Sequence, residues 1–143
     1  MECHASAVWD NSSIKGESAV TAHNGALRGD RCIGRASKNG SGSATDSAEL
    51  IAAAHAASFS TALSEGLDRA GFPATRIVTT ATVTAEDFSK EDWTITGILL
   101  DVVAKVPAAK LADFIDVAVG AKINCSIGRL FNTKVSLNAR LEN

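Results

Sequence analysis

Tyrosine is absent from this chain, and aromatic bulk is confined to five phenylalanines and two tryptophans in 143 residues. The hydrophobic share is 45%, but much of it is alanine, which offers little area to bury. Helices must therefore pack closely or take apolar surface from a partner, which favours an oligomer. Positive charge is also scarce. Lys and Arg number 14 against 16 Asp and Glu, for a net charge of −2, and they are scattered along the chain. No basic stripe is present to follow a phosphate backbone, which argues against a nucleic-acid partner. No run approaches the ~18 apolar residues of a membrane span. Met1-Glu2-Cys3-His4-Ala5 lacks the charged start and apolar core of a leader, so the expectation is a cytoplasmic protein with no membrane partner. The cysteines, Cys3, Cys32 and Cys125, are odd in number and have neither disulfide-framework nor metal-ligand spacing. The histidines at 4, 23 and 55 have no ligand spacing either. A reducing compartment, no metal and no cofactor follow as expectations, and any disulfide would be a redox event rather than a staple.

What is present reads as one domain spanning 1–143, long enough to bury roughly two-thirds of its unfolded surface. Ala5 to Asp10 and Ile14 to Ala22 alternate around Asp10-Asn11-Ser12-Ser13, the pattern of a hairpin. A turn at His23-Asn24-Gly25 leads to a third extended segment, about Ala26 to Ser37. Asn39-Gly40-Ser41-Gly42-Ser43-Ala44-Thr45 must be a loop. Asp46, with Glu49 three residues later, looks like a capping box opening a helix to about Ala70. Its first half is apolar almost all round, which predicts burial, and Gly71-Phe72-Pro73 stops it. Thr75 to Thr84 and Trp93 to Val106 read as a second hairpin through the acidic turn that includes Ala85-Glu86-Asp87. Pro107 marks the start of a second helix, with Leu111, Phe114, Ile115, Ala118, Val119 and Lys122 on one face. Asn124 looks like the N-cap of a short helix from Cys125 to about Phe131, and Thr133 to Leu141 alternates as a final strand. Strands, helix, strands, helix, strand is an α+β order.

The stretch Glu49-Leu50-Ile51-Ala52-Ala53-Ala54-His55-Ala56-Ala57-Ser58-Phe59-Ser60 resembles the central helix of the OsmC/Ohr family of thiol peroxidases. The likeness extends to Ala7-Val8-Trp9-Asp10 (Ala-x-Trp-Glu in the OsmC branch), Asn24-Gly25-Ala26-Leu27 (Ser-Gly-Val-Leu) and Ala70-Gly71-Phe72, so it covers nearly the whole chain. It implies a fold of antiparallel sheets around a long buried central helix, and an intertwined homodimer with paired sites at the interface. It also implies an oxidative-stress role: reduction of organic hydroperoxides, with a dithiol of the lipoyl type, such as dihydrolipoamide, as reductant.

The family's chemistry uses a reactive cysteine, an arginine that activates it, a glutamate that holds the arginine, and a second cysteine that closes a disulfide. By the resemblance the reactive position is Ser58, in Ala-Ala-Ser-Phe-Ser where the family has Ala-Ala-Cys-Phe-Ser. The arginine position is Lys38, the glutamate position Ala48 and the second cysteine Cys125, in Ile123-Asn124-Cys125-Ser126-Ile127-Gly128. Serine oxygen has no oxidation ladder like that of sulfur. Lysine keeps the charge but loses the bidentate fork. Glu49 does not replace Ala48: nine residues at about 100° each put it opposite Ser58, where it reads as a helix cap. Arg35 reads as a strand residue on the other face from Lys38.

Cys125 survives alone, either as a thiol favoured by a helix N-terminus or as a small buried residue. Cys32 is a conceivable disulfide partner and Cys3 a bystander. His55, three residues before Ser58, invites a Ser–His hydrolase reading, but no Gly-x-Ser-x-Gly elbow or oriented acid accompanies it. A buried histidine satisfied by a backbone group is the better reading. Three functions stay open: a family member with a degenerate centre and an apolar pocket for a hydrophobic small molecule; a working peroxidase using Cys125 with Lys38 as its cation; and a structural dimer.

Overall fold

The computed structural model describes residues 1–10, 17–33, 45–89 and 93–142, with the backbone alone at 17 and 33. Asn11-Ser12-Ser13, Ile14, Arg35, Lys38, the glycine-serine stretch as far as Ala44, and Lys90-Glu91-Asp92 lie outside the described residues. The chain divides into two compact units, Met1–Leu50 and Ile51–Asn143.

In the first unit, β1 (Ala5–Asp10), β2 (Glu17–Ala22) and β3 (Arg28–Ile33) form an antiparallel sheet in that order. β1 pairs with β2 from Ala5↔Ala22 to Asp10↔Glu17, as their alternation predicts. The next turn forms because Gly25 takes φ +78, its N–H donates to the Ala22 carbonyl, and the Asn24 side chain accepts from the Ala26 N–H at 3.0 Å. β3 is shorter than the segment predicted from 26, because that turn runs on to Leu27. A bulge at Gly29, with φ +75, shifts the register between Val20 and Thr21. All six residues of β1 are exposed, Val8 and Trp9 at 60% and 46%.

Helix α1 (Ser47–Arg69) starts at Asp46, whose carboxylate accepts the Glu49 N–H at 2.8 Å. The predicted box is half made: the Glu49 carboxylate instead accepts from the Thr45 hydroxyl at 2.8 Å. The helix ends as predicted. Gly71 adopts φ +81, the Phe72 N–H reaches the Leu67 carbonyl and the Gly71 N–H the Asp68 carbonyl, a Schellman motif with Phe72 folded against the core beside Leu67.

Only one stripe of α1 is fully buried: His55, Phe59, Leu63 and Leu67, four residues apart. The expectation of burial all round its first half is corrected in this respect, since Ala53, Ala54 and Ala57 are exposed in the single chain. The stripe meets Leu100, Val102, Ala104 and Val106 of the second sheet and its edge, and Phe114 and Ala118 of the second helix, in one core. Each fully buried Leu or Phe there contributes about 1.5–3 kcal/mol.

The second sheet has the order β4 (Arg76–Asp87), β5 (Trp93–Lys105), β6 (Lys134–Glu142). Ala85-Glu86-Asp87, expected as a turn, continues β4: an irregularity after Thr84 lets Ala85 pair with Ile95 and Asp87 with Trp93. β4 and β5 are antiparallel, whereas β6 runs parallel to β5, because α2 (Leu111–Asn124) carries the chain back across.

Pro107 does not open α2. It lies in a turn closed by the Ala109 N–H on the Val106 carbonyl, and Lys110, in extended conformation, precedes the first helical residue. The buried face of α2 is Phe114, Ala118 and Ala121, so the predicted face is rotated: Leu111 and Val119 are 59% and 41% exposed. α1 and α2 approach closely at Gly66, where a Cβ would stand 2.8 Å from Val117 Cγ1.

Candidate active site

Ser58 borders the buried stripe of α1, half-buried, and its hydroxyl meets the segment that follows α2. Ser58 Oγ lies 3.2 Å from Ser126 Oγ and accepts the Ile127 N–H at 3.4 Å. Asn124 is not the N-cap expected there. It is the last residue of α2, and its side-chain amide donates to the Gly120 carbonyl. Cys125, with φ −62° and ψ 135°, is the C-cap that ends α2, and Ile127 is the N-cap of the turn that follows. The Cys125 N–H donates to the Ala121 carbonyl at 2.9 Å, closing α2. Its own carbonyl accepts the Arg129 N–H, and its Sγ accepts the Gly128 N–H at 3.2 Å. A short 3-10 turn, Gly128–Leu130, follows. The N–H groups leading into this turn are thus divided: Ile127 serves Ser58 and Gly128 serves Cys125.

Both side chains open on one cleft of about 440 Å³ lined by Ser58, Thr61, Ala62, Glu65, Asn124, Cys125 and Ser126. The Cys125 thiol is 1% exposed and forms part of its wall. Glu65 is the carboxylate in that lining. It escaped sequence reasoning, although seven residues after Ser58 is two helical turns on the same face. Its carboxylate is 3.8 Å from Arg69, both side chains being largely solvated, so the pair adds little stability.

His55 is fully buried, and neither ring nitrogen has a hydrogen-bond partner. The expected backbone partner is therefore not there; the ring packs instead against Phe131, with centroids 5.6 Å apart. Burial lowers its pKa below 6.5 by penalising the charged form, so the imidazole is neutral. His55 Nε2, Cys125 Sγ and the Lys122 carbonyl converge on Gly128, at 3.1, 3.2 and 3.3 Å from where its Cβ would be. Sequence spacing held no signal for this meeting of α1 with the turn after α2.

Of the four positions carried by the resemblance, the structure brings Ser58 and Cys125 together. Ala48 sits in the first turn of α1, outside that lining, and Lys38 lies outside the described residues. Cys32 is a buried free thiol on β3 and Cys3 an exposed one. Among the described residues, no group of three or more His, Cys, Asp or Glu is arranged to hold a metal, and no helix is long and apolar enough to cross a membrane.

A family model described as OsmC-like protein matches residues 40–140. The chain is 31% identical over 134 residues to Peroxiredoxin OsmC of Escherichia coli (strain K12), covering 94% of this chain and 92% of that protein. Among solved structures it is similar to an OsmC-like protein of unknown function from Vibrio cholerae, with TM-score 0.80 and 13% identity over 97% of this chain and 99% of that one. It is also similar to the organic hydroperoxide resistance protein OhrB of Bacillus subtilis, with TM-score 0.72 and 16% identity over 99% of this chain and 98% of that one.

Proposed function

As this chain belongs to the OsmC-like protein family, we propose that it is a stress-response protein of the thiol-dependent hydroperoxide reductase kind whose reducing centre is impaired. It retains a cleft that takes a hydrophobic small molecule or an organic hydroperoxide. The observation that carries this reading is the Ser58 hydroxyl beside the Ile127 N–H and Cys125, where the resemblance calls for a thiolate. A thiolate attacks the O–O bond and becomes sulfenic acid; an alcohol at the same point has no oxidised state to enter. Ala48 brings no carboxylate to hold a cation, and Lys38 brings no fork. We take the chain to be a single OsmC-like domain, since the match from 40 to 140 runs across the division at Leu50. A cytoplasmic homodimer is part of the same proposal. Its support is apolar surface left open in one chain: Val8, Leu111, Val119, Ile123 and Leu130.

The test mixes purified protein with cumene hydroperoxide and dihydrolipoamide. The parent should consume no peroxide beyond the uncatalysed rate, and Ser58→Cys should restore slow turnover, because the Ile127 N–H would then meet sulfur. Dithiol-dependent turnover in the parent, abolished by Cys125→Ala, would instead establish a second reading, an atypical peroxidase working through Cys125. That reading has one observation in its favour, the Gly128 N–H donated to Sγ.

A further inference from the structure

The first unit carries a set of donors that the reading of the Ser58 cleft leaves unused. Of the three histidines in the chain, His55 is buried, while His4 and His23 are exposed. The exposed pair lies far apart in sequence, and strand pairing removes that distance. The β1–β2 ladder ends at Ala5↔Ala22, and one step further on the His23 N–H donates to the His4 carbonyl at 3.0 Å. Residues opposite each other in an antiparallel pair present their side chains on one face. The two imidazoles accordingly stand edge to face, with centroids 6.1 Å apart. The period of two along an extended chain puts Glu2 on that face with His4, and Glu2 Oε2 lies 3.9 Å from His4 Nε2. All three residues line one cleft of about 350 Å³.

We propose that His4 and His23, with Glu2 as third ligand, bind a divalent transition-metal ion of the Zn²⁺ or Cu²⁺ kind. Imidazole nitrogens with one carboxylate suit these ions, whereas Mg²⁺ and Ca²⁺ take shells of oxygen. A metal ~2.1 Å from one nitrogen of each ring holds the two centroids roughly 5–6 Å apart. The spacing of the pair therefore needs only a small turn of two exposed side chains. The donors do not already converge as a group of three. Glu2, its side chain 89% exposed, closes the set by swinging its carboxylate from His4 to the ion. Ordering three solvated side chains costs entropy, so the affinity is modest. The ion clasps the start of β1 to the end of β2, just where the ladder stops. Cys3 lines the same cleft but falls between Glu2 and His4, on the other side of the alternation, and has no part in the set.

The experiment titrates ZnCl₂ into the full chain by isothermal calorimetry in a non-chelating buffer. Saturable binding is expected with ZnCl₂ and none with MgCl₂. His4→Ala and His23→Ala should each weaken it at least about tenfold, since even an outer-shell partner of a metal is worth about 10–100-fold. Glu2→Gln should weaken it by less than either, and Cys3→Ser should leave it unchanged. In the Cys3→Ser chain, Cu²⁺ should show nitrogen couplings from two imidazoles in pulsed electron paramagnetic resonance. The four substituted residues are exposed, so each variant is expected to fold. A Zn²⁺ Kd weaker than about 1 mM would overturn the proposal. So would parent-like affinity in either histidine variant or in Glu2→Gln, and so would binding lost with Cys3→Ser. Peroxide turnover bears on the Ser58 reading alone and leaves this result standing.

Discussion

The two three-stranded sheets share side-chain alternation yet differ in burial. β1 exposes all six residues, Val8 and Trp9 among them, whereas β5 buries Ile98, Leu100, Val102 and Ala104. Part of the difference is composition, because Ile98 to Ala104 is nearly continuous in apolar residues, the mark of a central strand covered by helices. The rest is cover. α1 and α2 supply Phe59, Leu63, Leu67 and Phe114 to the second core, while the side chains of β1 are exposed in the single chain. Alternation reports a pleat, and a pleat is a request for burial that another surface must answer. The exposed alanines of α1 and the outward face of α2 repeat the lesson for helices.

The largest expected break in this contrast comes from the core. Phe59→Ala should cost about 3–5 kcal/mol of unfolding free energy in urea titrations, while Val8→Ala at dilute protein should stay within about 0.5 kcal/mol. Repeating both titrations across a hundredfold range of concentration sharpens the comparison. If a second copy covers the first sheet, only the Val8→Ala deficit should grow with concentration. Equal, concentration-independent costs at the two sites would remove the distinction between covered and open sheets.

Next in size is Gly66→Ala. Alanine gains about 0.8–1 kcal/mol of helix propensity, but its methyl meets Val117 Cγ1 at 2.8 Å, and overpacking costs about 1–3 kcal/mol. A net loss of about 1 kcal/mol is expected in thermal melts, relieved by Val117→Ala in the double variant. An unchanged melting point would mean that the two helices slide apart freely.

The smallest effect concerns His55. Its folded pKa lies below 6.5, so the unfolded chain takes up the proton first as pH falls. Its contribution is fully present above about pH 6.5 and is lost as pH drops through the folded value. Melting at pH 7.5 and 5.5 should therefore show a larger acid deficit for the parent than for His55→Gln. Identical deficits would mean that the imidazole is hydrated rather than enclosed.

Much of the scaffold was legible beforehand. Asp46 before an alanine-rich run, Gly71-Phe72 after it, and β-branched stretches on either side of Phe88 mark local preferences that tertiary contacts left in force. The misses cluster where two elements compete for the same residues. Pro107 is a good first helical residue, yet the turn from Val106 to Ala109 takes it. Asn124 is a good cap, yet α2 runs through it, Cys125 ends that helix and Ile127 caps the turn that follows. The α2 face was rotated because Leu111 and Val119 fit a helical stripe as well as Phe114 and Ala118 do, and only the position of β5 and α1 chooses between them.

The serine at position 58, the cysteine at 125 and the seven-residue spacing from Ser58 to Glu65 are matters of covalent identity and helical period, open to anyone holding the string of letters. That Ser58 and Cys125 share a cleft, and that His55 comes to Gly128 with both nitrogens unpaired, depends on contacts between residues some seventy apart in the chain. Such contacts arise from packing, which is set by which surfaces are left to meet once each helix and strand has formed. No local rule of spacing carries that information, because the partners are chosen by the fold and not by their neighbours in sequence.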